Sequence, residues 1–355
     1  MKNFKKPLSV IAMMSMLTSC ELIADSISNQ NEISSLKTLT TVATNQEITN
    51  KHDISLENLT NKIKQAIQNI DTNNPSTNEI IEIFKNFSIV KFEPNNKRNE
   101  IGTHFKKTAE GLTVLKNELK EKINNNDNII TNIENVINAI KKLAETTDNN
   151  NIEIGAINNT GTKAAIISNK KNVEDIISKI KDIIKIAEEA QINIEAKTNN
   201  NITGNNITSI AAINGGAGAD LKGGGANEED VSKLIDIISQ IDALAMLNKI
   251  AHATTNVNNG YINETNNDAG QLIVGRTLNT NGVGAKSNAD FAAAIALKAM
   301  SKDGKFAGHK NGNNTEYAKN IQKAAATAIS KVVTAIDTII IDILNAELNK
   351  IKTKS

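Results

Sequence analysis

The chain of 355 residues contains a single cysteine, Cys20, no tryptophan, three prolines and only 3% aromatic residues. One cysteine cannot form a disulfide within the chain, so a framework of intramolecular disulfides is excluded. The scarcity of aromatic rings argues against a stacking platform for bases or sugars. The formal net charge of +1 shows no basic excess, so nucleic acid is not indicated as a partner. Isoleucine, leucine, valine and alanine remain to build the core, which favours helices packed on helices.

The N-terminal residues have the pattern of a bacterial lipoprotein signal peptide. Three lysines stand among the first six residues, and an apolar run over 8–17 leads into Leu17-Thr18-Ser19-Cys20. This tetrapeptide matches the lipobox, in which the cysteine takes a diacylglycerol and becomes the new N-terminus after cleavage. The run has about half of the roughly twenty apolar residues that span a bilayer, so it is not a transmembrane helix. We therefore predict lipid attachment at Cys20 and removal of residues 1–19.

Removal of residues 1–19 takes away three lysines and no acidic residue, which moves the formal net charge from +1 to −2. Two or more acyl chains, such as palmitate, would hold the mature protein on a membrane surface without spanning it. The alternatives for Cys20 are a free thiol of a secreted protein and a buried structural cysteine. A nucleophilic thiol needs a base and an oxyanion site, and the residues around position 20 supply neither.

From residue 53 onward, apolar residues recur every three or four positions and predict amphipathic helices that pack on one another. The second helix begins with a capping box, Ser76-Thr77-Asn78-Glu79. The last helix would be about 55 Å long and form the spine of the bundle. The predicted helices cover residues 53–70, 76–87, 99–123, 129–143, 173–187, 231–247, 290–300 and 315–352.

Polar segments separate the helices and set the predicted organisation. Residues 21–52 are interpreted as a tether with an r.m.s. span of about 30 Å. Residues 198–227 are interpreted as a long connection or exposed insertion, and 254–289 as a second polar segment interrupted only by Leu272, Ile273 and Val274. The predicted fold class is all-α, an elongated helical bundle with a long C-terminal helix and Asn/Gly-rich surface loops. The predicted domains are a signal peptide at 1–19, a lipidated tether at 20–52 and a single helical domain at 53–355.

The sequence does not indicate a catalytic or metal centre. The glycine-rich segments 215–225 and 282–287 lack the spacing of a phosphate-binding loop, and neither follows an apolar strand. The four histidines lie more than fifty residues apart and form no pair with metal-ligand spacing. The carboxylates at 228–230 stand at a helix start, where the helix dipole accounts for them. We predict no catalysis, no metal and no cofactor.

The segment Asp290–Ala307 joins a compact apolar helix to a Lys-Asp-Gly-Lys turn and a second phenylalanine. We predict that its apolar side chains pack against the terminal helix while the charged residues of the turn remain in water. The side chains predicted to be buried are Phe291, Ile295, Leu297 and Phe306, and those predicted to be solvated are Lys302, Asp303 and Lys305.

This segment resembles the invariable segment of the variable large proteins and VlsE-type surface lipoproteins of spirochaetes. The resemblance extends to Arg98-Asn-Glu-Ile-Gly-Thr-His-Phe105 and to the isoleucine-rich end of the chain, with Glu347-Leu-Asn-Lys-Ile351. The chain differs in its Asn-rich tether, its first helices over 53–90 and its Asn-rich loops. The match over 290–307 is the specific one, because the other stretches alone would be weak.

The resemblance implies an all-α lipoprotein of the cell outer membrane, exposed on the surface, that acts in antigenic variation and evasion of host antibody. Its implied partners are the outer membrane, through the lipid at Cys20, and host antibodies. The alternative is an adhesin that binds host surface or serum proteins through the lysines around 302–310. An enzyme ranks third, because no catalytic constellation is visible.

Overall fold

The structure is a computed structural model that describes residues 56–69, 77–88, 90–122, 127–148, 151–194, 209–218 and 224–352. The predicted signal peptide, Cys20 and the whole predicted tether lie outside these residues. The regular elements are α1 (Leu56–Gln68), α2 (Asn78–Phe87), α3 (Asn99–Lys122), α4 (Asp127–Thr147), β1 (Ile157–Asn158), α5 (Lys170–Glu189), α6 (Ala211–Asn214), α7 (Glu228–Gln240), α8 (Ala243–Ala251), α9 (Ala269–Val274), α10 (Asn288–Met300), β2 (Phe306–Ala307) and α11 (Thr315–Lys352).

The apolar stripes form helices because each one has a continuous face to bury. In α1, for example, Leu59, Ile63 and Ile67 are buried and the intervening polar residues are mostly exposed. The predicted all-α class is confirmed, and the only strands in the described residues are the two short ones that pair in parallel, with Ile157 opposite Phe306. The predicted domain division stays a prediction.

The terminal helix α11 is the spine that its length predicts. It packs against α2, α4, α5, α7, α8 and α10. Among the described residues it is the one helix long and apolar enough to cross a membrane, yet its most apolar stretch of 18 residues is 78% buried within the protein. That burial is the property of a core helix.

Two boundaries differ from the prediction for local reasons. The stretch predicted as one helix over 231–247 is two helices, because Ile241 takes an extended conformation and Asp242 caps α8 by accepting from the backbone of Leu244 and Ala245. Ser76, on which the predicted capping box rests, lies outside the described residues; α2 begins after Thr77, whose side chain makes no capping hydrogen bond.

The glycine-rich region predicted as an exposed connection is partly buried. Its residues 210–216 are all buried and include α6, so the exposed assignment is wrong there. Only glycine fits at position 216, because a Cβ there would lie 1.9 Å from the carbonyl oxygen of Thr277. Gly216 N–H also donates to Asn279 O at 2.8 Å. These glycines permit close backbone packing and do not provide flexibility.

The second polar segment also contains a structural element that its composition conceals. Leu272, Ile273 and Val274 belong to the short helix α9 and are buried. Asp268 caps this helix by accepting from Gly270 and Gln271, and the Gln271 side chain accepts from the backbone N–H of Asp268. A reciprocal capping box therefore anchors the middle of a segment predicted to be mainly loop.

Candidate functional site

The segment Asp290–Ala307 lies at the centre of the protein. Every residue of α10 from Asp290 to Met300 is buried, and the helix packs against α7, α8, α9 and α11. The predicted burial of Phe291, Ile295, Leu297 and Phe306 is confirmed, since none of them exposes any measurable side-chain surface. The alanines of α10 leave room for neighbouring helices on all sides.

The start of α10 is fixed by polar contacts that remain inside the protein. Ser287 is the N-cap, and its hydroxyl accepts from Asp290 N–H at 3.2 Å and donates to the Asp290 carboxylate at 2.5 Å. Lys249 Nζ lies 3.2 Å from the same carboxylate oxygen. The buried negative charge of Asp290 is thus compensated by one hydroxyl and one lysine.

Near its other end, α10 carries a buried lysine. Lys298 is 1% exposed, and its ammonium group donates to Ile166 O at 2.7 Å and lies 5.9 Å from the ring centroid of Phe306. Burial lowers the pKa of Lys298 to about 7, and the positive charge of Arg98 acts in the same direction. Lys298 therefore ties the loop around residue 166 to the core helix.

A second buried cation, Arg98, precedes α3 and holds the turn after α10. Its guanidinium donates to Ser301 O and to Gly304 O, residues more than two hundred positions away in the sequence. Burial lowers the pKa of Arg98 to about 10, and Asp303 opposes this shift. The rigid fork of a guanidinium suits two carbonyl acceptors at once.

The turn itself faces outward on one side and is tightly packed on the other. Asp303 has a φ of 68°, and a Cβ on the next residue, Gly304, would lie 2.2 Å from Ser168 Oγ. Lys302 and Asp303 are exposed as predicted, whereas Lys305 is half-buried and exchanges two backbone hydrogen bonds with Ile166. Arg98 and Lys298 thus fix the inner side of a turn whose tip is solvated.

Several loops join around this turn through backbone hydrogen bonds. We call them the loop layer, defined as the described parts of residues 151–169, 209–227, 252–287 and 301–314. Beyond the β1–β2 pair, Ala226 is bridged to His309, and Ser168 N–H donates to Ile273 O at 2.8 Å. The loop layer is therefore a connected structure, although its outer residues, such as 258–261, are exposed.

The structure does not bring the other predicted features into a reactive site. Among the described residues, no group of three or more His, Cys, Asp or Glu side chains could hold a metal ion. His104 instead pairs with Asp337 of α11 at 2.9 Å inside the core. Burial raises the pKa of Asp337, and His104 opposes that rise. The predicted lipid site, Cys20, lies outside the described residues and stays a prediction.

Sequence reasoning missed the buried roles of Arg98 and Lys298. Both cations interact with backbone carbonyls far away in the chain, and such contacts leave no local periodicity. One signal was present, because the chain has 40 basic residues of which only Arg98 and Arg276 are arginines. An arginine in so lysine-rich a chain is a candidate for a position where the guanidinium geometry matters.

The comparisons with known proteins agree with this architecture. A family model for Borrelia lipoprotein matches residues 86–354. Variable large protein 14 of Borrelia hermsii is 34% identical over 287 residues, which cover 75% of each chain, and Variable large protein 12 of the same organism is 34% identical over 288 residues, 75% of this chain and 74% of that one. The crystal structure of the Lyme disease variable surface antigen VlsE of Borrelia burgdorferi shares the fold, with a TM-score of 0.63 and 22% identity over 84% of this chain and 97% of that chain.

Proposed function

The chain belongs to the Borrelia lipoprotein family, and on this basis we propose that it is a lipid-anchored protein of the outer surface that presents its loop layer to host antibody. In this role the loops differ between related copies, so that antibody against one copy fails against the next. The names of its relatives, variable large proteins, support antigenic variation as the purpose. Cys20 would provide the lipid anchor.

One observation supports the proposal most strongly. The helix of the segment that resembles the family's invariable part is buried, whereas the polar loops beside it expose their side chains. Residues 258–261, for instance, are all exposed, while residues 290–300 are all buried. Substitutions on the outer face of the loop layer would therefore change what an antibody contacts without disturbing the core.

Protease treatment of intact cells tests the surface location. We expect externally added protease to remove the protein from intact spirochaetes while a periplasmic marker protein stays intact. A Cys20→Ala variant should lose its incorporation of labelled palmitate and its association with the membrane fraction. A protein that resists protease on intact cells but not in lysed cells would contradict the surface location.

Sister copies from one strain test antigenic variation. We expect their differences to concentrate at 145–172, 198–227 and 254–289, with 290–352 nearly constant. The structure sharpens this expectation, because the buried residues 210–216 and 272–274 should vary less than the loops around them. Differences spread evenly over buried and exposed positions would contradict it.

The second candidate function is adhesion to a host protein, and the solvated turn after α10 favours it. Lys302 and Lys310 are exposed there and present positive charge within the loop layer. Charge reversal of Lys302 and Lys305 should then abolish a saturable, salt-sensitive interaction with a host ligand. Unchanged binding by the reversed variant would exclude the turn as the adhesive site.

A further inference from the structure

A polar cavity of about 280 Å³ opens within the loop layer and is lined by residues between 256 and 271. Its lining combines carboxamides, one aromatic ring and two aliphatic side chains, and none of the lining side chains is charged. The lining residues are Asn256, Val257, Asn258, Tyr261, Ile262, Asn263, Asn267 and Gln271.

One lining residue has a buried polar atom that lacks a partner. Asn267 is 1% exposed, and its amide nitrogen donates to Asn263 O and Gly284 O, both at 2.9 Å. These two bonds fix the orientation of the carboxamide, yet its Oδ1 accepts no hydrogen bond from any described residue. This oxygen has no accessible surface, so a ligand in the cavity cannot reach it, and Asn267 serves as a fixed part of the cavity wall. The carboxamides of Asn256, Asn258 and Asn263 beside it are exposed and can meet a ligand.

The cavity also contains an exposed aromatic ring, in a chain that has only two tyrosines. Tyr317 is buried and its hydroxyl donates to Ala307 O at 2.8 Å, so it belongs to the core. Tyr261 is 46% exposed at a tight hairpin, where it exchanges two backbone hydrogen bonds with Asn258. A rigid hairpin thus holds an open ring beside the carboxamides.

We propose that this cavity binds a neutral carbohydrate, with a single pyranose ring seated against Tyr261. Sugar hydroxyls are both donors and acceptors, as carboxamides are, so the exposed side chains of Asn256, Asn258 and Asn263 can satisfy them in pairs. The C–H face of a pyranose is apolar and covers an aromatic ring. The uncharged lining distinguishes this ligand from a sulfated or phosphorylated one, which would require cations.

The size of the cavity limits the ligand. Sites for small molecules commonly enclose about 300 to 1,000 Å³, so this cavity of about 280 Å³, just below that range, holds at most one ring, with further sugar units outside. A site of this size needs one aromatic ring, Tyr261, so the scarcity of aromatic residues in the chain does not exclude it. The proposal is independent of antigenic variation, because the cavity would bind the sugar whether or not the loops differ between copies.

Saturation-transfer NMR on the full chain, held in a zwitterionic detergent without sugar headgroups, tests the proposal. The probes are glucose, galactose, mannose and their N-acetylated amino sugars, with mannitol as a polyol that has no ring face. We expect at least one pyranose to bind saturably in the millimolar range and mannitol not to bind. No saturable pyranose binding, or equal binding of mannitol, would overturn the proposal.

Three variants locate the site. Tyr261→Ala should weaken binding by about tenfold, while Tyr261→Phe, which keeps the ring, should stay within about twofold of the natural chain. Leu278→Ala is the matched control, because Leu278 is also 46% exposed and does not line the cavity. Pyranose binding that survives Tyr261→Ala would overturn the proposal. So would binding confined to sulfated polysaccharide or to an extended peptide.

Discussion

The helix α10 and the hairpin around Tyr261 belong to neighbouring parts of one sequence, yet they face opposite environments. In α10 the residues from Asp290 to Met300 are buried, including a lysine, whereas residues 258–261 are all exposed. The helical part of the family-like segment is thus closed to solvent, and only the tip of the turn that follows it is exposed. The difference predicts that residues 290–300 vary little between sister copies because they pack in the core, while the exposed loop residues are free to change.

The largest expected effect comes from removing a core ring, compared with removing an exposed one. Phe291→Ala should lower the free energy of unfolding by about 3 to 5 kcal/mol, because it deletes a fully buried side chain of α10. Tyr261→Ala should change it by no more than about 0.5 kcal/mol. Urea unfolding followed by circular dichroism measures both. Equal losses would remove the contrast between the two regions.

The two arginines give the next comparison. Arg98→Met would leave the carbonyls of Ser301 and Gly304 buried without a donor, and we expect a loss of about 3 kcal/mol in the free energy of unfolding. Arg276→Met is the control. Because Arg276 is exposed, this substitution should change the free energy of unfolding by less than about 0.5 kcal/mol. If Arg98→Met is as stable as the natural chain in urea, Arg98 does not hold the turn.

A smaller effect concerns the pH dependence of stability. The folded chain holds the pKa of Lys298 at about 7, below its ordinary value of 10.5, so between these limits the unfolded chain binds more protons. The penalty for the buried charge is present in full below pH 7 and decreases as the pH rises. Relative to Lys298→Met, the natural chain should gain up to about 1 kcal/mol of stability per pH unit above about pH 7.5.

The measurement is urea unfolding of both proteins at several pH values up to about 9.5. Lys302→Met, at an exposed lysine two residues beyond α10, serves as the control and should give a curve parallel to that of the natural chain. Parallel curves for Lys298→Met and the natural chain would mean that Lys298 keeps an ordinary pKa in the fold.

The sequence was most informative where burial follows a period. The stripe of α1 and the long stripe of α11 predicted helices at those places because each apolar residue repeats within one helix face. The loop layer could not be predicted in this way. Its order comes from contacts such as Gly216 against Thr277, which join backbone segments far apart in sequence. Short buried helices such as α6 are too brief to show a period.

In the candidate site, too, local sequence pattern predicted some side-chain environments, whereas others depend on contacts between distant residues. The burial of Phe291 and Phe306 and the exposure of Lys302 could be predicted from local pattern. The cation Lys298 could not, because a lysine on a helix is normally solvated and only the fold places Ile166 O beside it. The resemblance to a known family supplied the function that the residues alone did not indicate. The family match confirms the family, and antigenic variation stays a proposal.

Paired antibodies on intact cells test the central claim, that helix α10 is hidden while the loops are presented. One antibody is raised against residues 256–266 and the other against residues 290–300, and both are checked on denatured protein. The account predicts that the first labels intact cells and the second labels only denatured protein, with cells lacking the protein as the blank. Equal labelling of intact cells by the antibody against 290–300 would contradict the account.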